Sequence, residues 1–178
     1  WNRRFNMQKR GFTLAEVLIT LGIIGVVSAL TAPALSTNTQ KAKIGPALAR
    51  FSSILGSAVQ EYMVNEELTD LGGVTDATLY TGLKRFMMGD TIDGYYTLND
   101  GTRIVSFSKS AVVIDINGAK NPNQPAKDRF KFTVSDNGRV YAYGSKASGQ
   151  KTCNASGTED QKYACTGAVA DNGWKAEY

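Results

Sequence analysis

The sequence predicts an α+β chain: a long N-terminal α-helix, apolar in its first half and amphipathic in its second, packed on a four- to five-stranded antiparallel sheet. Three observations carry this reading. From Val17 to Gln40 there is no charged side chain. Beyond that run, Ile44, Leu48, Phe51, Leu55, Ala58 and Tyr62 recur every three or four positions, which marks one helical face. From Tyr95 onward the period changes to short runs flanking Asn99-Asp100-Gly101 and Asp136-Asn137-Gly138, both hairpin signals.

The chain opens on basic residues. Arg3, Arg4, Lys9 and Arg10 all precede Gly11, with no acid among them. Lys and Arg total 20 against 16 Asp and Glu, a formal net charge of +4. Setting those four aside leaves the remainder balanced, so the basic excess belongs to the leader. A basic stripe on the folded part, the footprint of a nucleic-acid binder, is not what this distribution provides.

Basic residues before an apolar run form an export signal, and three readings compete. One is a conventional cleaved signal peptide over residues 1–34, ending near Ala32-Pro33-Ala34, which would release a secreted soluble binding protein or enzyme. Another is a plain membrane anchor. About 20 apolar residues span a bilayer core, and Val17 to Leu35 is just long enough; the positive-inside rule then places the head outside the cytoplasm. The third reading accounts for Glu16, a carboxylate at the edge of a hydrocarbon-compatible run, where a charge is costly unless it reaches water or a partner. Cleavage between Gly11 and Phe12 would create an amine a few residues from Glu16. The helix dipole favours a carboxylate in that first turn. Among packed helices the same carboxylate can pair with the amine of a neighbouring copy, because an unpaired buried charge is heavily penalised.

Lys9-Arg10-Gly11-Phe12-Thr13-Leu14-Ala15-Glu16 resembles the type IV prepilin cleavage motif, shared by type IV pilins and by the pseudopilins of type II secretion and competence. The resemblance covers the basic leader, Gly before the cut, Phe after it and Glu in the fifth mature position. It implies a pilin-like fold, removal of the leader by a membrane-embedded prepilin peptidase, N-methylation of Phe12, and Glu16 as the assembly carboxylate. It further implies insertion in the bacterial inner membrane with the head outside the cytoplasm. A cytoplasmic assembly ATPase, acting through an inner-membrane platform protein, would then polymerise copies, or other pilins and pseudopilins, into a periplasmic or extracellular filament. Met7 would give a leader, Met-Gln-Lys-Arg-Gly, of a length the family uses. Gly25 and Pro33 fall where members carry helix breakers. Proline removes a helical hydrogen bond and glycine lowers propensity, so the segment between could unwind on packing. Both residues are equally compatible with simple tolerance or close packing in a membrane helix.

The expected organisation is therefore a leader over 1–11, a transmembrane or filament-core half-helix over 12–35, an amphipathic half-helix over 36–66, and an α/β head over 67–178. The helix would run roughly 80 Å at 1.5 Å per residue, with Gly45-Pro46 interrupting its amphipathic half. A short helix follows over Asp76 to Met88, with Asp76 near its N-cap. Strands are expected over Tyr95–Leu98, Thr102–Phe107, Ala111–Ile116, Phe130–Val134 and Arg139–Tyr143.

No catalytic set stands out. The chain has no histidine, the commonest general base, and no enzyme activity or cofactor is expected. Asp115, Asn117, Asn123 and Asp128 offer oxygen ligands around Gly118 that suit calcium in outline. That stretch lacks EF-hand spacing and also carries Lys120 and Lys127, so a turn-rich loop between strands is the favoured reading. Cys153 and Cys165 have no histidine with which to complete a zinc site. Outside the cytoplasm they form a disulfide. Trp174 and Tyr178 either pin the tail back on the sheet, which is favoured, or face a neighbouring subunit.

Overall fold

A computed structural model describes residues 12–178, with the backbone alone over 30–40. Two compact units divide the chain, one ending at Gln40 and the other covering Lys41–Tyr178. Helix α1 (Leu14–Asn65) supplies residues to both. In the first unit every described side chain from residue 12 to 29 is exposed, Ile19, Ile23, Ile24 and Val26 among them. Among the described residues, no helix is long and apolar enough to cross a membrane. The span predicted over 12–35 extends into 30–35, and Pro33 with it, outside the described side chains.

In the second unit the predicted stripe is the core. Ile44, Leu48, Phe51, Leu55, Ala58 and Tyr62 are all buried, joined by Val59 and Met63. A helix one face of which is apolar must bury that face against something, and here the partner is a sheet. Strands β1 (Gly89–Ile92), β2 (Tyr95–Leu98), β3 (Arg103–Ser106), β4 (Val112–Asp115), β5 (Arg129–Val134) and β6 (Val140–Ala142) pair in sequence order. Every pairing is antiparallel. In β5, Phe130, Phe132 and Val134 are buried while their alternate neighbours are not, the period-two pattern of a strand with one face on a core. The Phe51 and Phe132 rings meet with centroids 5.3 Å apart, joining helix to sheet.

The sheet has six strands, where the sequence predicts four or five. The additional strand is β1, an edge strand with three of its four residues exposed, so no alternation of apolar and polar residues announces it. Its signal is Asp93-Gly94, both at positive φ (52° and 80°), as a tight hairpin turn matched to strand twist requires. The two predicted turns close as expected. Gly101 and Gly138 take positive φ, and Asp100 Oδ1 and Asn137 Oδ1 accept the Thr102 and Arg139 N–H groups.

Two local expectations are corrected, and one segment without a prediction proves to be structured. Helix α2 covers Asp76–Leu83 rather than reaching Met88; Asp76 stands next to the N-cap as expected, the cap itself being Thr75, whose hydroxyl accepts the Thr78 N–H. Asp76 instead accepts the Lys109 N–H at 2.9 Å, tying α2 to the β3–β4 connection. Gly45-Pro46 does not interrupt α1, which continues through both residues. Gly45 has a different role, because a Cβ there would overlap the Trp174 carbonyl. Finally, the polar tail around the cysteines is partly helical, forming α3 (Glu159–Tyr163) and α4 (Cys165–Asp171). A reciprocal capping box between Thr158 and Gln161 starts α3. The Gly167 N–H donates to the Tyr143 carbonyl, docking α4 beyond β6.

Candidate functional site

The first turn of α1 carries the sequence's sharpest signal. Gly11 lies outside the described residues. Phe12 is 88% exposed. Thr13 precedes the helix and shares a reciprocal cap with Glu16. The Thr13 N–H and hydroxyl both donate to Glu16 Oε2 at 2.9 Å, and the Glu16 N–H donates to Thr13 Oγ1 at 3.3 Å. A helix start leaves its first N–H groups without partners, and a Thr-x-x-Glu box satisfies them from both directions. Glu16 is thus occupied within its own chain as well as exposed. The spacing Thr13-Leu14-Ala15-Glu16 contains this box, although sequence reasoning directed at the cleavage motif passes over it. A Cβ at Gly25 would meet nothing within 4 Å, so nothing packed inside the first unit requires glycine there.

The loop between β4 and β5 brings together the residues considered for calcium. Asp128, buried, accepts the backbone N–H groups of Asn123 at 2.7 Å and Gln124 at 2.6 Å, and the Asn117 amide at 3.3 Å. Asp115, also buried, accepts the Asn117 N–H and the Arg129 Nε–H, each at 3.2 Å. Burial pushes the Asp115 carboxyl above its usual range, and the Arg129 hydrogen bond draws it part of the way back. Both acids therefore act as acceptors for donors of the loop and of β5. Among the described residues, no group of three or more His, Cys, Asp or Glu could hold a metal ion.

Cys153 and Cys165 form a disulfide with their Cα atoms 4.5 Å apart. It ties the polar segment to the start of α4, beside a cluster that sequence reasoning did not find. There the Lys131 ammonium sits 3.5 Å from the Tyr143 ring centroid, and Lys151 donates to Asp160 at 3.0 Å. Burial holds Lys131 below its ordinary value. Hydrogen bonds from Tyr143 and Lys151 hold Asp160 below its own. The cluster is assembled from β5, the Tyr143 turn, the 151 region and α3, so no local pattern encodes it.

The tail is pinned. Trp174 and Tyr178 pack partly buried against the core, the Tyr178 hydroxyl donates to the Ala126 carbonyl at 2.9 Å, and Lys41 Nζ donates to the Tyr178 carbonyl oxygen at 2.6 Å. Burial pushes the Tyr178 phenol far above its ordinary value.

Comparison with known families matches residues 6–32 to the prokaryotic N-terminal methylation motif. No curated protein and no solved structure matches the chain.

Proposed function

We propose that this chain, which carries the type IV pilin and pseudopilin signature over residues 6–32, is a structural subunit of a type IV filament. The observation that carries the reading is a conjunction. The methylation motif spans the start of a helix whose first turn presents Glu16 and whose apolar side chains through residue 29 are exposed. An apolar surface of that extent must be covered, by lipid before assembly and by other subunits after it. Residues 1–11 are the leader, and prepilin peptidase cleaves between Gly11 and Phe12 and methylates Phe12. Residues 12–35 lie in the inner membrane and then in the filament core, with the head outside the cytoplasm. A platform protein and an assembly ATPase drive polymerisation, and Gly25 and Pro33 give the helix the freedom to pack.

On this reading Glu16 exchanges partners. In the free subunit it accepts from Thr13, and in the filament it meets the methylated amine of a neighbour. The capping box keeps the carboxylate satisfied until the amine arrives, and pairing then fixes axial register. The head is non-catalytic. Its β4–β5 loop is held by Asp115 and Asp128 as hydrogen-bond acceptors and works without a cation.

Glu16→Gln and Glu16→Leu, expressed with the peptidase, platform protein and ATPase, test the assembly step. Removing one partner of a buried ion pair costs about 3 kcal/mol, so fibres seen by electron microscopy fall at least about tenfold. Fibres as abundant as the parent's would remove Glu16 from the mechanism.

A further inference from the structure

The outer face of the sheet carries a pocket lined by two guanidiniums as well as by a buried acid. Strand register sets Arg103 of β3 opposite Asp115 of β4, and Asp115 opposite Arg129 of β5. Side chains so placed have Cβ atoms about 5 Å apart, so one guanidinium stands on each side of a single buried carboxylate. A pocket of about 130 Å³ is lined by both arginines and Asp115, with Tyr95, Gly118 and Asn123 around them.

The three groups are unequally satisfied. Asp115 is taken up by Arg129 Nε and the Asn117 N–H. Arg103 turns away, toward exposed Asp93 at 3.6 Å and the Tyr95 ring at 4.9 Å. Its Nε is buried and has no hydrogen-bond partner. A buried donor left unpaired is costly, and such atoms in folded proteins generally mark a missing partner. Two guanidiniums and the Asp115 carboxylate line the pocket; buried Asp128 lies behind Asp115 with its donors supplied by the loop, and Asp93 lies in solvent where screening weakens it. A cation would meet two guanidiniums, and a dianion would sit against Asp115. A single carboxylate supplies the acceptor that Arg103 Nε lacks and matches the planar guanidinium fork.

We propose that this pocket binds a carboxylate, held by the Arg103 Nε–H and guanidinium and by the outer nitrogens of Arg129. The carboxylate comes either from a small free acid or from an Asp or Glu side chain of a neighbouring subunit. Only the second source rests on the filament reading.

The test titrates the full chain, in non-ionic detergent, with acetate against chloride at equal ionic strength. Nitrogen NMR follows the Arg103 Nε–H and calorimetry follows the unfolding temperature. The expected result is a saturable, acetate-specific shift of both, with apparent affinity about tenfold weaker in Arg103→Gln and stronger in Asp115→Asn. A response no greater than chloride's, a response unchanged in Arg103→Gln, or stabilisation by calcium in place of acetate would each overturn the proposal. Should Arg103→Gln fail to fold, the Arg103 Nε–H signal of the unmodified chain decides alone. Assembled filaments separate the sources. Loss of acetate binding on assembly identifies a neighbour's acid, and retained binding identifies a free acid. Failure to assemble would count against the filament reading and leave the acetate result standing.

Discussion

At Gly45 the amphipathic half of α1 carries no side chain, and the Trp174 carbonyl occupies the space that a Cβ would take. Gly45→Ala therefore forces the helix or the tail to move. Overpacking of this kind costs about 1–3 kcal/mol, and chemical denaturation should show a loss in that range together with faster amide exchange over residues 172–178. Asp115 makes a second residue-scale prediction. Its folded pKa is raised from the reference 3.8, mainly by burial, so the folded state holds its proton more tightly than the unfolded chain does. The charged carboxylate then opposes folding above the folded pKa, and that opposition is relieved as pH falls through it toward 3.8. The unmodified chain should gain stability relative to Asp115→Asn on acidification through that window. A difference independent of pH would show that Asp115 has no raised pKa.

Elements differ in how their sequences announce them. The stripe from Ile44 to Tyr62 was legible because six buried residues keep helical period over five turns of α1. Strand β5 was legible because Phe130, Phe132 and Val134 alternate. By contrast, β1 is an exposed edge, α3 and α4 are too short for a period to show, and α4 is also rich in small residues. What holds α3 and α4 is a cap, a hydrogen bond to Tyr143 and the disulfide. Cys153→Ser with Cys165→Ser opens a loop with a sequence separation of 12 and should cost roughly 3 kcal/mol by the chain-entropy account. The loss should appear first as increased amide exchange in α4, whose Gly167 is tied to Tyr143, and equal protection in both forms would remove the disulfide from the account of that docking.

Over the whole molecule, the sequence divides by how local its information is. The cleavage motif before Phe12 and the uncharged run after Val17 are contiguous, and both can be read without a fold. The cap between Thr13 and Glu16 is equally local. It is found only when the first turn is asked where its backbone donors go. The Arg103–Asp115–Arg129 pocket is the opposite case. Its members come from three strands and meet only through register, so the same stretch, read linearly, offers Asp115, Asn117, Asn123 and Asp128 as a cation loop. The head thus presents built surface chemistry, and the first unit presents an apolar helix with a charged, capped tip. On the proposed reading, the filament covers the helix and displays the head.

The most direct measurement is the mass of the mature N-terminus, taken from the chain produced in a host that carries prepilin peptidase. The account predicts a chain beginning at Phe12 and heavier by one methyl group, and retention of the leader in a strain without the peptidase. A chain beginning at Leu35, released from the membrane whether or not the peptidase is present, would contradict it.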